Sequence, residues 1–270
     1  MVDTNNEKLE LRIRDIDLNI STIYRTGTGA PILFLHGFGS TKEDYADMAR
    51  LAMFSGRPFI AYDAPGCGES ECSDLSAVCI PLLVETARAV LERMGVQNFH
   101  LVGHSMGGLT ALMLADEERE RVLSFVDIEG NVAPEDCFLS RQIFTHPADD
   151  SREFFAHFIE RTRQSQELSS SLYAASLKHK VRAEAVRGIF TSMVELSDNG
   201  DLMSKYLGLP CRKMFMYGEQ NSHLSYLKQL EGAGVTLACI SRSGHFPMYS
   251  NAVDMWDHIA RFTGSTPPKD

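Results

Sequence analysis

Residues 103–108, Gly-His-Ser-Met-Gly-Gly, constrain the fold more than any other stretch, because they lie between a strand-like run and a helix-like run. Residues 99–102 (FHLV) form a short apolar run, and residues 109–121 carry helical spacing. To pass from strand to helix within this hexad the chain must turn sharply, with Ser105 at the apex in strained backbone geometry. Side chains two residues to either side would collide, which accounts for Gly103 and Gly107; Gly108 allows the new helix to pack closely. The turn presents the serine hydroxyl above the sheet, beside a helix N-terminus that favours developing negative charge. A glycine-rich turn without chemistry is the alternative, and the strand-to-helix context argues against it. Ser105 is the candidate nucleophile.

The surrounding pattern is α/β. Residues 9–13 and 19–23 alternate apolar and polar positions, which predicts half-exposed antiparallel strands at a sheet edge. Residues 31–35 (PILFL), 59–62 (FIAY) and 99–102 are apolar throughout, as strands covered on both faces require. Helical stretches at 42–53, 76–94 and 109–121 separate them, and residues 121–129 supply a sixth strand. Residues 133–204 contain helical spacings and no convincing strand. Strands resume at 213–217 and 235–240, followed by a helix at 252–262. The expected fold is a mostly parallel central sheet with helices on both faces and an inserted helical cap. The core comprises 1–132 and 205–270 and the cap 133–204; the tail from Gly264 is expected to be mobile. At 270 residues and 44% hydrophobic content, such a core needs no disulfide or metal to hold it.

Two loops fit Ser105. In His36-Gly37-Phe38-Gly39, after the 31–35 strand, the Phe38 N–H is placed to pair with the Met106 N–H as an oxyanion hole. His36 reads as a loop-bracing residue. Asp63-Ala-Pro-Gly-Cys-Gly-Glu-Ser70 reads as a tight turn needed by the fold. The general base should be a histidine on a loop after the last strand. His245, in Ser243-Gly-His-Phe-Pro247, has that position, whereas His223 follows a polar loop and His258 falls within a helix.

These four motifs, in this order of strands and helices, resemble the α/β-hydrolase superfamily over nearly the whole chain. In most members the acid behind the histidine is an aspartate after the seventh strand, and the matching position here holds Asn221. An amide cannot stabilise an imidazolium by charge. The sixth strand ends in Val-Asp127-Ile-Glu129-Gly130, and Glu129, at its C-terminal edge, is the favoured acid. That placement is similar to zearalenone-type lactone hydrolases, whose acid is a glutamate after the sixth strand. Asp127, deeper on the same face, and Glu219 are the rivals, and an absent acid is the remaining option.

The resemblance implies a serine hydrolase acting on a carboxylic ester or lactone through an acyl-enzyme on Ser105. Carbon–carbon bond hydrolase, thioesterase and non-catalytic small-molecule receptor are the alternatives within the fold. The serine disfavours haloalkane dehalogenases and epoxide hydrolases, whose nucleophile is normally aspartate. Aromatic and methionine residues of the cap (Phe138, Phe144, Phe154, Phe158, Tyr173, Phe190, Met193) are expected mostly to pack its helices, a few lining a pocket for a small hydrophobic substrate. No cofactor and no metal are expected: the six cysteines show no paired-ligand spacing. A net charge of −10 disfavours nucleic acid and anionic membrane as partners. With no signal-like N-terminus and no long apolar run, the expected location is cytoplasmic.

Overall fold

Alternation in the N-terminal residues produces an antiparallel hairpin, β1 (Asn5–Ile13) with β2 (Ile16–Arg25), in which Leu9, Ile13, Leu18 and Ile20 turn into the core. The computed structural model describes residues 4–146, 150–164 and 168–264. The tail expected to be mobile lies, past Gly264, outside the described residues. The fully apolar runs become β3 (Ile32–Leu35) and β4 (Phe59–Tyr62), every residue of which is buried. A two-residue strand not read from sequence, β5 (Glu71–Cys72), pairs with β2. The remaining strands are β6 (Phe99–His104), β7 (Val122–Ile128), β8 (Arg212–Gly218) and β9 (Thr236–Ile240). Their order is β1-β2-β4-β3-β6-β7-β8-β9, parallel from β4 to β9 and antiparallel at the β1–β2–β4 edge. This is the mostly parallel α/β sheet expected; β7 is the sixth strand of the sequence pattern.

The core helices are α1 (Glu43–Ala46), α2 (Ile80–Arg93) and α3 (Met106–Glu117). Between β7 and β8 lie α4 (Gln142–Thr145), α5 (Ser151–Arg163), α6 (Leu168–Lys180), α7 (Ala183–Asn199) and α8 (Leu202–Gly208). The chain ends with α9 (Leu227–Gly232), α10 (Pro247–Ser250) and α11 (Ala252–Gly264). Helices flank the sheet, and the extra ones between β7 and β8 form the cap. α8 itself packs on α3, with Lys205 Nζ 2.7 Å from Asp116 Oδ2.

Three helices differ from their expected bounds: α3 spans Met106–Glu117 rather than 109–121, and two others differ for local reasons. The 42–53 stretch breaks after α1 into two 3-10 turns, because Leu51 is extended (φ −86°, ψ 125°). The buried Arg25 guanidinium takes up the freed carbonyls of Ala49 and Phe54, and that of Arg57. α2 starts at Ile80 rather than 76, with Pro81 in its first turn, where a missing N–H costs nothing.

The Asp63 loop is held by a buried charge pair, consistent with a structural role. Asp63 is 0% and Lys42 3% exposed, with Lys42 Nζ 2.9 Å from Asp63 Oδ2. Asp63 also accepts from the N–H groups of Lys42 (2.8 Å) and Glu69 (2.9 Å). Gly68 (φ 51°) passes so close that a Cβ would lie 2.2 Å from Asp63 Oδ2. No helix among the described residues is long and apolar enough to cross a membrane.

Removing one member of a buried pair strands the other charge, so Lys42→Met is expected to lower stability by about 3–5 kcal/mol. Lys8→Met, which breaks the exposed Lys8–Glu71 pair (2.9 Å), should cost less than about 1 kcal/mol. Urea-unfolding midpoints of the two variants check the difference.

Candidate active site

Ser105 joins β6 to α3 with φ 51° and ψ −117°, a conformation that residues with a Cβ rarely adopt. The turn holds because its neighbours lack side chains. A Cβ on Gly103 would lie 2.4 Å from the Gly107 carbonyl oxygen, and one on Gly107 would lie 2.1 Å from that of Leu35. The Ser105 N–H donates to the Ile128 carbonyl (3.0 Å), fastening the turn to the end of β7.

β6 and β7 run parallel with His104 opposite Ile128, so the next residues, Ser105 and Glu129, leave the sheet side by side. Glu129 also has a positive φ (45°), and its N–H donates to the Met216 carbonyl of β8 (3.0 Å). His245 lies on the loop between β9 and α10. Its Nε2 is 3.0 Å from Ser105 Oγ and its Nδ1 2.7 Å from Glu129 Oε2. Asn221 Nδ2 donates to both Glu129 oxygens (2.9 and 2.8 Å), and the Gly218 N–H donates to Oε1 (2.7 Å). Glu129 is 7% exposed. Burial pushes its carboxyl pKa up, but the hydrogen bond and charge of His245, with the Asn221 and Gly218 donors, outweigh this and hold it below the usual value.

Neither rival carboxylate meets His245. Asp127 is fully buried beneath the turn, where Oδ1 accepts the Gly130 N–H (2.8 Å), and burial raises its pKa well above the ordinary range. Glu219 accepts the Arg242 N–H (2.8 Å) at the surface. Met106 opens α3, so its N–H belongs to the helix's unpaired first turn. Phe38 lies beside the same cavity as Ser105. His36 braces two loops: the Ala64 N–H donates to its Nε2 (2.9 Å) and its Nδ1 meets the Gly37 carbonyl (2.8 Å).

Three participants were not singled out from the sequence. Asn221 stood only as a missing aspartate, and Gly218 as a landmark. His104, inside the hexad, is fully buried with Nε2 2.8 Å from the His245 carbonyl oxygen. A carbonyl only accepts, so Nε2 carries the proton. Burial, with the nearby His245, pushes the His104 pKa down to about 3. Its place next to the turn serine was the available signal.

Two cavities adjoin His245. One, of about 20 Å³, is walled by Phe38, Ser105, Leu139, Ser140, Tyr173, Phe190, Met193, His245 and Phe246. The other, of about 310 Å³, lies beside Glu129 and Asn221 and is flanked by Phe138, Glu135, Asp136 and His223. The cap lines these cavities more than its packing suggested: Tyr173, Phe190 and Met193 wall the first and Phe138 the second. A ring of Phe190 can do both jobs, since it packs on Phe158 (5.4 Å between centroids) and on Phe38 (4.6 Å). Phe154 and Phe158 stack on each other, Phe158 also meets Phe38 of the core (6.1 Å between centroids), and Phe144 is exposed.

A model of the alpha/beta hydrolase family matches residues 32–257. The chain is 27% identical over 204 residues to the sn-1-specific diacylglycerol lipase ABHD11 of Xenopus laevis, covering 72% of this chain and 62% of that protein. It is 36% identical over 102 residues to a proline iminopeptidase of Lactobacillus delbrueckii subsp. bulgaricus, covering 36% of this chain and 35% of that protein. It therefore spans less than two thirds of the length of these curated relatives. Among solved structures, a mutant of the N-acyl homoserine lactonase AidH complexed with N-hexanoyl homoserine superposes with a TM-score of 0.76 at 17% identity, over 99% of this chain and 98% of that one.

His104 stays neutral in the fold down to about pH 3, whereas the unfolded chain takes up its proton near the ordinary value of 6.5. Its burial therefore costs nothing above about pH 6.5 and destabilises increasingly as the pH falls from there towards 3. His104→Gln keeps an amide donor for the His245 carbonyl but does not titrate. Its loss of stability between pH 7 and pH 5, from urea unfolding, should be smaller than the parent's by about 2 kcal/mol.

Proposed function

The chain belongs to the alpha/beta hydrolase family, and we propose that it is a serine hydrolase cleaving a carboxylic ester or lactone. The observation that carries this is the unbroken hydrogen-bonded line from Ser105 Oγ through His245 to Glu129, at 3.0 and 2.7 Å. Ser105 Oγ attacks the carbonyl carbon as His245 Nε2 takes its proton. The N–H groups of Phe38 and Met106 hold the oxyanion, and Glu129 stabilises the imidazolium through Nδ1. Collapse breaks the ester bond, and His245 returns the proton to the departing alkoxide. Water, deprotonated by His245, then releases the acid and regenerates the serine.

In this proposal residues 133–204 act as the cap over the core formed by 1–132 and 205–270, and the acid follows the sixth strand of the sequence pattern, as in zearalenone-type lactone hydrolases. Asn221 has then become a donor that orients Glu129 in place of the more usual aspartate. An ester-cleaving relative and a lactonase of like fold favour oxygen esters over thioesters or carbon–carbon bonds. The mostly aromatic wall beside Ser105 favours a largely apolar acyl group.

Purified protein should turn over p-nitrophenyl acetate, and Ser105→Ala should abolish it. Glu129→Gln should lower kcat by roughly 10³- to 10⁴-fold with KM little changed, while Glu219→Gln stays near the parent. Near-normal kcat/KM in Glu129→Gln with collapse in Glu219→Gln would reverse the assignment of the acid. Stabilisation by esters without turnover would favour a receptor.

A further inference from the structure

The wall of the cavity beside Ser105 contains four hydroxyl or imidazole side chains in an otherwise apolar lining. Ser105 and His245 satisfy each other, whereas Ser140 Oγ and Tyr173 Oη have no hydrogen-bond partner among the described residues. Both residues are deeply buried, at 2% and 1% exposure. Among the described residues nine buried side-chain polar atoms lack a partner, and two of them belong to residues of this one cavity of about 20 Å³. An unpaired buried hydroxyl opposes folding, and the cost is recovered where a bound molecule completes the bond.

The chemistry of the wall limits what that molecule can offer. Among the described residues no lysine, arginine or carboxylate lines this cavity, so a charged group would be desolvated there without a counter-charge. Burial pushes the Tyr173 phenol well above its ordinary pKa, so it remains a neutral donor, as does Ser140. A neutral acceptor oxygen suits two neutral donors. The side of the scissile bond follows from the reaction. The acyl group stays bonded to Ser105 until water arrives and so remains on the side of the cavity beside Ser105, whereas the alcohol must leave past His245, where the wider cavity of about 310 Å³ lies.

We propose that Ser140 and Tyr173 form an acyl-side subsite that donates hydrogen bonds to an ether or carbonyl oxygen close to the scissile carbonyl. This rests on Ser105 being the nucleophile. It narrows the substrate class from apolar esters to esters or lactones whose acyl part carries one such oxygen. At about 20 Å³ the cavity holds little more than a water and neither hydroxyl is open to it in this structure, so its wall must move to admit the acyl chain.

The test uses two isosteric substrates, p-nitrophenyl butyrate and p-nitrophenyl methoxyacetate, in which one methylene becomes an ether oxygen. Parent, Ser140→Ala and Tyr173→Phe are compared by the ratio of kcat/KM for methoxyacetate to that for butyrate. Intrinsic ester reactivity and any general damage divide out of this ratio, and the Phe variant keeps the ring. A fall in the ratio of about three- to tenfold in either variant supports the subsite. Turnover of both esters with the ratio unchanged in both variants overturns it and leaves the serine-hydrolase reading intact. If the parent turns over neither ester, the nucleophile assignment and the subsite fall together.

Discussion

The Glu129 carboxylate joins three separate segments: the end of β7, the stretch from Gly218 to Asn221 and the histidine loop. A charge buried to this degree is expensive unless its lone pairs are filled, and here they are filled from three places: the histidine loop, the Asn221 turn and the Gly218 N–H at the end of β8. Each donor is thereby fixed relative to the others. Its own backbone is bent into a positive φ and tied to β8 through Met216. The geometry around His245 is thus set by electrostatic necessity as much as by packing.

Parallel pairing makes this arrangement compatible with the serine turn. β6 and β7 are in register through His104 and Ile128, and both chains leave the sheet at the following residue with φ near 50°. The nucleophile candidate and the carboxylate therefore emerge from adjacent strand ends at the same height. The Ser105 N–H bond to Ile128 and the His104 bond to the His245 carbonyl close the structure from below. Strain at Ser105 is sustained because glycines on either side leave room and these bonds leave the chain no other course.

Beside the site the cap joins this platform through aromatic rings, with the Lys180–Asp44 ion pair (3.8 Å) as a further link between cap and core. Phe38, on the loop beside Ser105, meets Phe155, Phe158 and Phe190 of the cap at centroid distances of 6.2, 6.1 and 4.6 Å. Tyr173 stacks on Phe246, next to His245, at 4.5 Å. Core and cap therefore share one apolar cluster, and a change in the cap's seating alters the space beside the serine directly.

Much of this was written in short stretches of sequence. The two-residue and 3.6-residue periods separated edge strands from covered strands and helices, because side-chain direction repeats locally. The serine turn was legible because its steric demands fall on glycines within two residues of it. The late histidine could be placed by order alone. Helix ends were less legible: the break at Leu51 depends on Arg25, far away in the chain, reaching carbonyls the helix no longer uses. Which carboxylate faces His245 was left between Glu129, Asp127 and Glu219 for the same kind of reason. Strand register, a positive φ at Glu129 and donors from Asn221 and Gly218 decide it, and none is a property of neighbouring residues. The unpaired hydroxyls of Ser140 and Tyr173 were invisible in the sequence, since a missing partner exists only once the cap has folded over the core.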